Sequence, residues 1–235
     1  MLAQYVADTQ NLLNDSGGQF FSQPTLHNYI NRSRRRVAAA SGCVRSLVHA
    51  KTHANQEKYD FKEWTAIVQT AYPGVREILT VRTLAIAIGP GEGAWKPVWN
   101  RLPFTDFQTR FRIWNKAWIG TISYPGWYAQ YGFGISGSIY LAPIPSQEQP
   151  MELDCSCMPF PLGSDNEPEC IPYPWCDAVA YYAAVMCMLQ QQRPQDAAAI
   201  LQIFQAELPF AASVVAPNMI TSPYGAATRP SPSNP

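Results

Sequence analysis

Few side chains in this 235-residue sequence stand at spacings that do chemistry. His49 and His53 are four apart, so a helix would put them on one face, as a metal site needs. No acid lies in Ala50-Lys51-Thr52 between them, and no HExxH pattern surrounds them, so a solvated face is the reading taken. Cys155 and Cys157 alternate on one strand face, with Cys170 and Cys176 downstream. Structural zinc favours a CxxC knuckle at a turn, so these thiols read as small buried hydrophobes. Gly89-Pro90-Gly91-Glu92-Gly93 lacks the Lys-Ser/Thr of a P-loop and the GxGxxG of a dinucleotide fold, and reads as a loop. The acid pairs Glu167/Glu169 and Glu152/Asp154 fall in a polar loop and on an outward strand face, without a sign of desolvation for acid–base work. There is no GxSxG. A non-enzyme without metal or cofactor is the expectation.

The densest charge run is Arg32, Arg34, Arg35 and Arg36. Such a run suits DNA phosphates or an acidic protein surface, or is simply the solvated side of a helix. A protein partner or a second subunit is preferred, because one cluster is small for non-specific DNA binding. The charge distribution agrees. Residues 1–120 hold fifteen Lys/Arg against eight Asp/Glu, and residues 121–235 hold Arg193 and Arg229 against nine acids. A chain polarised from +7 to −7 can pack basic half on acidic half, within one subunit or between neighbours. Overall charge is zero, which argues against a dedicated nucleic-acid binder.

Charged residues make up only 14% of the chain, against roughly a quarter in ordinary domains. Aromatics reach 12%, and exposed Trp and Tyr supply contact area at low entropic cost. Trp114, Trp118, Trp127 and Tyr128, in an irregular aromatic stretch from 95 to 131, are therefore candidate partner contacts. The opening residues lack the basic and apolar regions of a secretory leader, and no apolar run nears the eighteen or so residues of a membrane span. With no leader, the six cysteines are expected to be reduced thiols in a cytoplasmic folding compartment.

The elements that would position these residues fall into four parts. In the first, 1–58, apolar spacing predicts a helix from Leu2 to Asn14. Ser22 and Pro24 then open a second helix to Ser41, ended by Gly42, with Leu26, Tyr29, Ile30 and Val37 inward. Residues 43–58 are polar and ambiguous. The second part, 59–170, is a β-rich insertion with strands at Tyr59–Thr65, Glu77–Ile88, Gly132–Leu141 and Met151–Met158, plus a short helix at Phe104–Phe111. The third, 171–208, carries helices Cys176–Gln192 and from Pro194 onward. The last, 209–235, has six prolines and one charge, Arg229, and is expected to be an extended arm that orders on a partner. The fold class is therefore α+β: a four-helix cluster of N- and C-terminal pairs, a β-rich insertion and a Pro-rich arm.

Taken in order, these features resemble the head-to-tail connector (adaptor) proteins of tailed bacteriophages. The residues that carry the resemblance are Leu12-Leu13-Asn14-Asp15, then Leu26-x-x-Tyr29-Ile30-Asn31 followed by arginines. Tyr72-Pro73-Gly74-Val75-Arg76-Glu77 and Ile139-Tyr140-Leu141-Ala142-Pro143-Ile144-Pro145 follow. The closing helix pair, from Asp177-Ala178 to Asp196-Ala197, completes it. The likeness covers most of residues 1–208; the 95–131 stretch and the arm depart from it. It implies a homo-oligomeric ring, typically of twelve copies, docked beneath the portal protein in the virion neck. Tail, nozzle or tail-tube proteins would bind the opposite face, and DNA would pass through the channel as cargo. The arm would reach the portal, which makes Pro217, Met219, Ile220, Tyr224 and Arg229 candidate contacts beside the arginines. Competing readings are a tail-terminator or tube subunit, a zinc-stabilised module or small metalloenzyme, and a nucleic-acid binder using Arg32–Arg36.

Overall fold

The computed structural model describes residues 1–15, 17–88, 94–98, 100–111 and 124–215. Among these residues the chain is mixed α+β, with six α-helices and two four-stranded sheets. In chain order these are α1 (Leu2–Leu12), α2 (Gln23–Ser41), β1 (Arg45–Lys51), β2 (Lys58–Asp60), α3 (Phe61–Ala71), β3 (Val75–Ile88), β4 (Ala94–Pro97), β5 (Asn100–Leu102), α4 (Phe104–Phe111), β6 (Trp127–Tyr131), β7 (Ser138–Ala142), β8 (Pro150–Pro159), α5 (Asp177–Gln190) and α6 (Pro194–Val215).

The boundaries of α2 follow from local chemistry. Ser22 is its N-cap with proline in the first turn, and Gly42 adopts φ +62°, donating its N–H to the Ala38 carbonyl. Leu26, Ile30, Val37 and Ala38 are fully buried along one face. The helix α5 lies against α1, α2 and α6, and its alanines permit that contact on several sides: Ala178, Val179, Ala180, Ala183, Ala184 and Cys187 are all buried. The α6 helix buries Ala197, Phe204 and Ala211, seven residues apart. It also passes through Pro209 and continues to Val215, where proline content led to the expectation of an extended arm. The remaining arm residues, 216–235, lie outside the described residues.

The first sheet has the order β1-β8-β3-β4, all antiparallel, and the second β2-β7-β6-β5, with β5 and β6 parallel. The inward face of β8 is as its sequence predicts: Met151, Leu153, Cys155 and Cys157 have no exposed surface, and Leu153 sits opposite Val48 and Leu84, but Ser156 on the other face is buried as well. Three register shifts bend the long β3 strand, the last between Val81 and Thr83. The second sheet satisfies the backbone groups freed there. Gln130 Oε1 accepts from the Val81 N–H at 3.2 Å, Arg101 donates to the Val81 carbonyl at 3.2 Å, and the Tyr128 hydroxyl donates to the Arg82 carbonyl at 3.1 Å.

Several elements differ from expectation: β5 and β6 lie within the stretch read as irregular, and the strand expected over Gly132–Leu141 begins only at Ser138, after a 3-10 turn at Gly134–Ser136. Residues 45–51 are an edge strand, in a segment that read as ambiguous. Residues 61–71 are helix, where aromatic and β-branched content favoured a strand over Tyr59–Thr65. The side chains of Phe61, Trp64, Thr65 and Val68 are buried at helical spacing, and tertiary packing of that stripe overrides β propensity.

Candidate functional site

The groups that could do chemistry are kept apart or neutralised by their elements. His49 stands on β1, not a helix, with Nδ1 3.8 Å from Glu152 Oε2 across the strand pair. His53 lies in the loop beyond, its ring stacked on Tyr59. Among the described residues no three His, Cys, Asp or Glu side chains converge as metal ligands. The loop 89–93 lies outside the described residues.

All six cysteines are free. Burial pushes the Cys155 thiol well above its ordinary value, and moves Cys157, Cys170 and Cys176 up to about 11 and Cys187 to about 12. Such thiols stay protonated at neutral pH and are poor nucleophiles. The unfolded chain loses these protons first, at about pH 9, while the folded chain retains them to about 11–12. Their contribution is thus complete below pH 9 and disappears through that interval, so stability falls as pH rises. Urea midpoints should therefore hold between pH 7 and 8.5 and decline steeply above about 9; a midpoint that is flat to about pH 11 would contradict the burial of these thiols.

The arginine run divides. Arg34 is buried and forms a two-pronged pair with Glu169, Nε to Oε2 at 3.0 Å and Nη2 to Oε1 at 2.7 Å. Its Nη1 donates to the Phe160 carbonyl at 2.6 Å. Glu169 Oε1 also accepts from the N–H groups of Cys170 and Ile171. Asn31 adds two bonds to the backbone of Leu162. These contacts fasten the 160–171 segment onto α2. Two sequence readings are corrected here: Arg34 is not on a partner surface, and Glu169 is desolvated, because each supplies the other's charge. Arg32, Arg35 and Arg36 remain exposed on the outer side of α2.

The aromatic candidates divide in the same way. Tyr128 faces inward on β6 and is 2% exposed, so it is not a partner contact of the folded subunit. Trp127 is half-buried, packed on Phe111 at 5.2 Å between ring centres. Trp114 and Trp118 lie outside the described residues, as do Pro217, Met219, Ile220, Tyr224 and Arg229. Composition gave no notice of a different apolar projection. In the turn between β6 and β7, Phe133 is 68% and Ile135 60% exposed. The available signal was two large apolar residues set among Gly132, Gly134 and Gly137. A second surface is an acidic groove between α1 and α5, lined by Asp8, Asn11, Leu12, Asp177, Ala180 and Tyr181.

No family model matches this chain, and no curated protein matches it in sequence. Among the described residues no helix is long and apolar enough to cross a membrane.

Proposed function

We propose that this chain is a structural subunit of the adaptor ring that docks under a phage portal and joins head to tail. The observation that carries the reading is the gathering of α1, α2 and α6 around α5. That packing supports the reading in which helix pairs from the two ends of the chain join in one four-helix cluster with the β-rich part inserted between them. The well-developed helical part favours an adaptor over the β-richer tail-tube and terminator subunits. The protein works by assembly: each copy contributes a modest contact, and many copies around a ring give avidity beyond any one of them. The Pro-rich arm reaches the portal, the opposite face receives tail components, and DNA crosses the channel as cargo.

The experiment is a truncation placed after the end of α6. Deleting residues 216–235 leaves the buried Phe204 and Ala211 in place, so folding measured by circular dichroism should be unchanged. Co-sedimentation with portal-bearing capsids should drop by about tenfold or more, because losing the arm removes its contact from every copy at once. Undiminished capsid attachment by the truncated protein would count against the reading.

A further inference from the structure

Within the subunit, Arg32, Arg35 and Arg36 have no ion-pair or hydrogen-bond partner among the described residues, although this chain pairs many of its other charges. At about 100° per residue the three fall within an arc of about 100° on α2, so they form one cationic face. That face flanks the side of the helix that meets α5, where the Ser33 hydroxyl donates to the Val179 carbonyl at 2.6 Å and the Tyr29 hydroxyl to Gln190 at 2.9 Å. The groove between α1 and α5 shows the complementary deficit. Asp8 accepts long bonds of 3.4 and 3.5 Å from the Gln4 amide, and Asp177 a 3.7 Å contact from the Cys176 thiol. No cation of the subunit pairs with either among the described residues.

We infer that the Arg32/Arg35/Arg36 face of one subunit docks into the Asp8/Asp177 groove of a second copy, and that this is the contact from which the ring is built. The inference rests on the ring reading above. The occupant fits by charge and by shape of chemistry. Guanidinium groups donate to the two carboxylates, the Asn11 amide oxygen and the Tyr181 hydroxyl, while their aliphatic stems cover Leu12 and Ala180. The two surfaces are distinct, so a head-to-tail contact is available to them: each copy offers one face and receives on the other. A heterologous contact of this kind closes into a ring when its rotation divides a full turn. A reciprocal two-fold pairing of the same surfaces would satisfy both deficits but stop at a dimer, so a wild type that assembles no further than a dimer overturns the ring contact.

Charge reversal tests it by sedimentation velocity of the full chain. Wild type associates beyond a dimer, and raising salt from about 0.05 M to about 0.5 M weakens that association. The triple variant Arg32→Glu/Arg35→Glu/Arg36→Glu loses self-association by about a hundredfold or more, since like charges then face each other. Asp8→Arg/Asp177→Arg does the same; Asp8→Asn/Asp177→Asn gives a smaller loss and serves if the arginine variant fails to fold. An equimolar mixture of the two reversed proteins associates again in alternation, because the acidic face of one meets the basic groove of the other and the native face meets the native groove. A chain carrying both reversals associates again. If wild type assembles and the reversed proteins assemble equally well, this contact is overturned while the ring stands. If wild type remains a monomer both alone and on portal-bearing capsids, the contact and the ring reading fall together. Loss of duplex-DNA binding in the arginine variant, with assembly intact, would assign the face to nucleic acid and overturn the contact.

Discussion

An Arg34→Met protein should unfold at a clearly lower urea concentration than wild type, having lost about 3–5 kcal/mol of folding stability. Arg34 and Glu169 are both almost wholly removed from water, with side-chain exposures of 1% and 7%. Desolvating either ion is costly, and what offsets the cost is the two-pronged pair together with the Phe160 carbonyl and the amides of Cys170 and Ile171. Removing the guanidinium leaves a carboxylate buried without its counter-ion. Removing both charges should be much milder, so Arg34→Met/Glu169→Leu is expected to recover most of the loss. An exposed pair would behave differently, costing about 1 kcal/mol or less on either single substitution. A loss that small in Arg34→Met would show that the pair is solvated.

Phe61→Ala is the second large effect, about 3–5 kcal/mol for a fully buried aromatic. Phe61 begins α3, donates its N–H to the Gly137 carbonyl at 2.9 Å, and lays its ring directly over the Gly137 Cα. A Cβ on residue 137 would meet the ring at 2.5 Å and the Gly134 carbonyl at 3.0 Å. Gly137→Ala should consequently cost about 1–3 kcal/mol through overpacking. In the Phe61→Ala background the same change should cost far less, because the ring that collides is gone. The four proteins form a double-mutant cycle read by urea denaturation, and simple additivity would exclude the close approach. Together the two residues hold α3 against the turn that carries Phe133 and Ile135.

The helical ends of the molecule were legible because their signals are local. Ser22 with Pro24 starts α2, Gly42 stops it, and the strict alternation from Met151 to Cys157 needs no knowledge of the partner strands. The β1 strand was hidden because its inward positions include Ser46 at 2% exposure while Leu47 is 41% exposed, so polarity runs out of phase with burial. The α3 helix was obscured by β-prone residue types, although Asp60 with Glu63 offers a helix-start pattern and Phe61, Trp64, Thr65 and Val68 keep helical spacing. Among the arginines, composition alone could not separate Arg34 from its neighbours. What distinguishes it is its angular position, on the side of α2 that meets a segment 135 residues away. Asp8 and Asp177 could not be grouped in advance either, since they join only when α1 meets α5.

The strand order has a consequence for how the protein is made. The β1 and β3 strands do not pair with each other; both require β8 between them, which begins about sixty residues beyond the end of β3 in the chain. During synthesis on the ribosome, each must therefore wait with its backbone groups open until residues 150–159 have left the exit tunnel. Both α1 and α2 wait longer still, for α5. The nascent polypeptide thus keeps strand edges and apolar helix faces uncovered for most of its elongation, a state prone to aggregation.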